Sequence, residues 1–96
     1  MKKIEVLTMQ TRGGNAAENH FIIRKGSTYY FQSYNSLIAK KQGDKIQLDK
    51  YYWDYSATTG RYRNDFLGES IAETRKKIKS GEYKLSHHID LKSGYY

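Results

Sequence analysis

The chain has no cysteine and no proline. Without cysteine there is no disulfide, no thiolate zinc site and no cysteine nucleophile, and the simplest setting is a reducing, intracellular one. Without proline nothing punctuates a linker, and no internal repeat is visible. The 96 residues therefore read as one domain over 1–92 with a frayed tail at 93–96. Long hydrophobic runs are missing as well. No window approaches the roughly 18 apolar residues of a membrane-spanning helix. Glu5 interrupts the apolar start before anything like a signal peptide is complete. These absences predict a cytoplasmic protein with no membrane partner.

What the chain does have is positive charge and aromatic rings. Seventeen Lys and Arg against ten Asp and Glu give +7, a balance that favours a polyanion or an acidic protein face as partner. The excess is +5 over 1–50, +2 over 51–85 and zero over 86–96, so a folded basic surface is expected and not a basic tail. Ten Tyr, three Phe and one Trp stand beside modest aliphatic content. Tyr29, Tyr30, Phe31, Tyr34, Trp53, Tyr55, Tyr62 and Phe66 must then supply much of a single core, since large aromatics bury on the order of 150 to 250 Å² each.

Alternation of apolar and polar residues marks strands at Ile4 to Thr8, His20 to Arg24, Thr28 to Gln32, Ser36 to Lys41 and Lys45 to Leu48, with a polar loop over Gln10 to Asn19. After Asp49 the period changes. Asp54 and Ser56 suit a helix start, Tyr62 and Phe66 form an apolar stripe at i, i+4, and Gly68 suits a stop, although Gly60 weakens this helix. Ser70-Ile71-Ala72-Glu73 fits the capping box of a second helix, which Gly81 ends. The predicted fold is α+β: an antiparallel sheet of about five strands, a two-helix hairpin, and a short last strand near Tyr83, Leu85 and Ile89.

Two constellations could carry function. Lys50, Tyr51, Tyr52, Trp53, Tyr55, Arg61 and Arg63 put aromatic faces among cations, the pattern that stacks on bases or anchors a protein interface. Trp53, Tyr55 and Tyr62 read as packing between sheet and helix. Tyr51 and Tyr52 are adjacent in an extended segment, so one of the two should be exposed, beside Lys50. Arg61 and Arg63 stand two apart on a helix and do not share a face. The second constellation is Arg75, Lys76, Lys77 and Lys79 on the second helix, either a solvated basic face or a set of phosphate contacts.

No catalytic, cofactor or metal site is expected. His87 and His88 are neighbours with His20 far away, the aspartates fall at turns and helix starts, and Gly13-Gly14 lacks the following Lys and Ser/Thr of a phosphate loop.

The helical pair over 57–81, with its turn Phe66-Leu67-Gly68-Glu69 and its basic run before Gly81, resembles the helix-turn-helix of winged and excisionase-like DNA-binding proteins. At larger scale, Tyr52-Trp53-Asp54-Tyr55-Ser56, Tyr62, Phe66-Leu67 and Lys77-Ile78-Lys79-Ser80-Gly81 resemble an uncharacterised family of small bacteriophage and mobile-element proteins. That resemblance covers about residues 20–85 and leaves the loop at 10–19 outside it. It implies a phage accessory protein that binds and inhibits host machinery by steric occlusion, an anti-CRISPR inhibitor of a CRISPR effector being the concrete case. Direct DNA or RNA binding by the second helix, as in a small transcriptional regulator, is the alternative. A third reading is a self-associating structural or virion component.

Overall fold

A computed structural model of the protein describes residues 3–11, 13–87 and 89. The expected tail at 93–96 and the end of the expected domain at 90–92 lie outside the described residues. Five strands follow one another as a meander: β1 (Ile4–Gln10), β2 (Ala16–Lys25), β3 (Thr28–Ser33), β4 (Ser36–Gln42) and β5 (Lys45–Asp49). Each pairs antiparallel with the next. Helices α1 (Ala57–Leu67) and α2 (Ile71–Ser80) then lead to β6 (Tyr83–Ser86), which pairs parallel with β5. The architecture is the expected α+β one with its short last strand; what no local pattern announces is that this strand pairs parallel with β5.

Two-residue turns set the meander's register. Gly26, Gly43 and, unusually, Tyr34 take the left-handed conformation at the first turn position, with φ of 63°, 59° and 57°. A tyrosine there is strained. It is held by its amide, which donates to the Asn19 carbonyl at 2.7 Å, and by the Gln32 amide, which donates to the Tyr34 carbonyl at 2.7 Å. The predicted loop at 10–19 is shorter in the structure, because β1 runs to Gln10 and β2 begins at Ala16, with a bulge between Thr8 and Gln10. Polar side chains such as Glu18 and Asn19 disguise strand residues as loop here, since β2 is long and largely exposed at this end.

Register assigns the two faces of the sheet. Leu7, Ile22, Phe31, Ala39, Leu48 and Leu85 form one cross-sheet row, and Phe31, Ala39 and Leu48 in it are fully buried and form the core with Ile46, Tyr83 and, from α1, Tyr62. His20 stacks on Tyr62 at 4.2 Å, and Ser33 and Thr59 share a buried hydroxyl hydrogen bond of 2.9 Å, fastening β2 and β3 to α1. The sequence allowed one core; the structure adds a second cluster on the opposite face, where Ile23, Tyr30 and Ile89 meet with Leu37 beside them. Ile89 makes the difference, packing on the sheet instead of extending β6.

Both helices are capped as the sequence reads. Ser56 Oγ accepts from the Thr59 amide, and Gly68 ends α1 at φ 70°. Ser70 and Glu73 complete a reciprocal capping box and Gly81 ends α2. Ser70→Ala is expected to cost about 1 kcal/mol, seen as a lower urea midpoint with an unchanged slope. An unchanged midpoint would mean that the cap contributes nothing. Among the described residues no helix is long and apolar enough to cross a membrane.

Candidate functional site

The junction between β5 and α1 is built by one carboxylate. Asp49 is buried, and its Oδ1 accepts from the amides of Tyr51 at 2.9 Å and Tyr52 at 3.0 Å, while its carbonyl accepts from the Trp53 amide at 3.0 Å. The chain therefore turns at once instead of extending. This corrects the expectation that one of Tyr51 and Tyr52 points inward: side-chain alternation requires a strand, and in this turn both are exposed.

Tyr55 is a second correction. The sequence places it in the packing between sheet and helix, yet Tyr51, Tyr52 and Tyr55 are 62%, 44% and 48% exposed, because Trp53 and Tyr62 already fill that space. Tyr52 and Tyr55 meet edge to face at 5.6 Å. Tyr51 lies beside His87, phenol oxygen to Nδ1 at 3.3 Å, a neighbour that only the parallel docking of β6 supplies. Lys50 is exposed next to them, its amide donating to the Ser86 carbonyl at 2.7 Å.

Arg61 and Arg63 point in opposite directions. Arg61 is exposed and lies over the Tyr62 ring at 5.3 Å. Arg63, read from sequence as part of the binding rim, is only 1% exposed. Its guanidinium sits 5.3 Å from the Trp53 ring and donates to the Trp53 carbonyl, to Asp54 Oδ1 at 3.4 Å and to Asn64 Oδ1 at 3.1 Å. Burial lowers its pKa, against the hydrogen bond and charge of Asp54, which raise it. Gly60 leaves room for it: a Cβ there would stand 3.4 Å from Nη2. Arg63 is therefore an internal tie between the turn and α1 and not part of the exposed rim.

The basic set on α2 divides in the same way. Arg75 pairs with Asp54 Oδ2 at 3.1 Å, so Asp54 bridges Arg63 and Arg75. Lys77 is half-buried and donates to Glu69 Oε1 at 2.8 Å. Glu69 also accepts from Tyr83 at 2.7 Å and Thr74 at 2.6 Å. Burial alone raises the Glu69 carboxyl, but these donors outweigh it and hold its pKa below the ordinary value; the same hydrogen bond raises Lys77, and burial with Glu69 pushes the Tyr83 phenol up to about 12. Lys76 and Lys79 remain exposed on the outer face, three residues apart and without a partner among the described residues.

The surface thus consists of Tyr51, Tyr52 and Tyr55 with Lys50, Arg61 and the outward side of Arg75. An open cleft of about 490 Å³ adjoins it, walled by Tyr55, Arg61, Asn64 and Ile71. No group of three or more His, Asp or Glu converges as a metal site among the described residues. The helical pair is the crossover between parallel strands β5 and β6, and α2 feeds straight into the sheet.

Fold and surface define a small α+β protein in which a meander is closed by a two-helix crossover. The chain belongs to a family of unknown function (DUF8033), whose model matches residues 4–82. The match bears out the resemblance to an uncharacterised family and extends it: the segment at 10–19, left outside that resemblance, lies within the matched span. Searches among curated proteins and solved structures return no match.

Proposed function

We propose that this is a non-enzymatic accessory protein of phage or mobile-element type that works by binding in the host cytoplasm, sterically blocking a nucleic-acid machinery such as a CRISPR effector. The observation that carries this reading is the cluster of three exposed tyrosines held by the Asp49 turn and flanked by Lys50 and Arg61. Tyrosine offers large contact area at low conformational-entropy cost and is enriched among interface anchors. The surrounding cations suit an acidic face.

Direct nucleic-acid binding rests on a separate observation, the unpartnered Lys76 and Lys79 on α2. Two of the four cations expected to contact phosphate are held in ion pairs instead, which favours the tyrosine surface.

Capture from host lysate, with and without nuclease, separates the two. Wild-type protein is expected to retain its partner after nuclease. Tyr51→Ala, Tyr52→Ala and Tyr55→Ala should each weaken binding to the recovered partner by about 2 kcal/mol, roughly thirtyfold, with unchanged melting midpoints. Loss of the partner on nuclease treatment would sink this reading and support the second, particularly if free DNA or RNA binds with a steep salt slope that Lys76→Glu and Lys79→Glu abolish.

A further inference from the structure

The two edges of the sheet are unlike each other. β6 is four residues long and lies beside the Tyr51 turn. β1 spans seven residues, is paired only with β2 among the described residues, and exposes Ile4, Val6 and Leu7 at 49%, 59% and 54%. The usual protections of a free edge are missing over its first five residues. There is no proline, the bulge comes only after Thr8, and the single charge, Glu5, sits opposite Arg24 of β2.

The hydrogen-bonding phase of that edge follows from the next turn. A two-residue turn at Gly26-Ser27 makes Lys25 and Thr28 its bonded closing pair, so Lys25, Ile23 and Phe21 direct their amides and carbonyls to β3. Arg24 and Ile22 then bond to β1, through their partners Glu5 and Leu7. Ile4, Val6 and Thr8 are left presenting N–H and C=O outward. All three are β-branched, and their side chains share one face, the face away from the helices.

We propose that β1 pairs antiparallel with β1 of a second copy of this chain about a twofold axis at Val6. Val6 stands opposite Val6 of the second copy, and Ile4 stands opposite Thr8 on either side. Each of these three pairs exchanges both backbone bonds, which uses every outward group from Ile4 to Thr8. Leu7 lies against the stem of Glu5 across the axis. The axis runs normal to the sheet, so both helical pairs lie on one side of a continuous sheet.

A second copy fits better than a foreign strand for two reasons. Within the paired span from Ile4 to Thr8 the single charge is Glu5, which faces Arg24 of its own β2, so two of these edges meet with little of the repulsion that +7 imposes elsewhere. The twofold pairing is also self-complementary and closes on itself. An interface of one strand and a few side chains is at the small end of specific contacts, so assembly should depend on concentration. The aromatic surface lies by β5 and β6, at the other edge of the sheet, so the dimer carries one such surface at each end. The pairing does not depend on what that surface binds.

Sedimentation of the full chain from low micromolar to near-millimolar concentration tests it. The mass should climb from 11.3 kDa towards twice that value. Val6→Lys sets two like charges opposite one another at the axis and should stay at the monomer mass throughout, with the wild-type melting midpoint in dilute solution. Hydrogen exchange supplies a second readout. The amides of Ile4, Val6 and Thr8 should slow as concentration rises, whereas those of Glu5 and Leu7 are already protected when dilute. A wild-type chain that remains monomeric leaves the edge to a foreign strand and overturns the proposal. So does Val6→Lys associating like wild type, growth past two copies, or exchange at Ile4, Val6 and Thr8 that ignores concentration.

Discussion

Arg63→Ala is expected to destabilise the fold by about 3 to 5 kcal/mol, the range of buried large-to-small changes and broken internal ion pairs. The side chain is enclosed between Gly60 and the Trp53 ring, and its guanidinium holds the Trp53 carbonyl, Asp54 and Asn64 together. Truncation opens a cavity and leaves the Trp53 carbonyl without this donor. Asp54 is about a third exposed and keeps Arg75, so lost packing dominates over an orphaned charge. Arg63→Met separates these contributions: it keeps the stem against Trp53 and should recover a large part of the loss. Arg63→Lys should recover less than Met, because it keeps the stem but buries a compact ammonium that cannot match the three acceptors arranged around a planar fork. A denaturant midpoint for Arg63→Ala within error of wild type would remove Arg63 as the tie between the turn and α1.

Glu69→Gln is the second large effect. Three donors from two elements converge on this carboxylate: Thr74 and Lys77 of α2 and Tyr83 of β6. An amide cannot accept from all three as well, and about 2 to 3 kcal/mol should be lost at neutral pH, the scale of hydrogen bonds to a charged, largely buried group. The pH dependence carries the sign. Glu69 has its folded pKa depressed, so its contribution is complete above the ordinary value of 4.5 and is lost as pH falls from there through the folded value. The gap in melting midpoint between wild type and Glu69→Gln should therefore narrow below pH 4.5. A gap that stays constant into strongly acidic solution would show that the charge of Glu69 does not stabilise the fold.

Most of the meander and both helix boundaries are legible in the sequence because they depend on neighbours. Alternation in Lys45-Ile46-Gln47-Leu48, glycine at two-residue turns, and Ser70 with Glu73 are local signals, and each corresponds to a short-range hydrogen bond or side-chain direction in the structure. What depends on distant partners is not legible. Tyr83 to Ser86 reads as a strand, but its parallel pairing with β5 is decided by where α1 and α2 deliver it.

Arg63 reads as surface because charge normally stays in water. The one trace of its burial is Gly60, three residues earlier on the same side of α1, which looks like a weakness of the helix until the guanidinium is seen to occupy the space. The binding surface is half legible for the same reason. Tyr51, Tyr52, Lys50 and Arg61 stand out by composition, whereas the exposure of Tyr55 and the approach of His87 are consequences of packing elsewhere.

The order of strands also governs how the chain reaches this state. From β1 to β5 every pairing joins neighbours through short connections, so each hairpin can zip onto the last with little loop-closure entropy at each step. β6 has no such route. Ile46 cannot meet Tyr83 until the whole helical pair has been drawn across the sheet, one long loop closure made against a preformed template. The unit from α1 to β6 is thus the last to be completed during synthesis, because it must be laid across a sheet already formed.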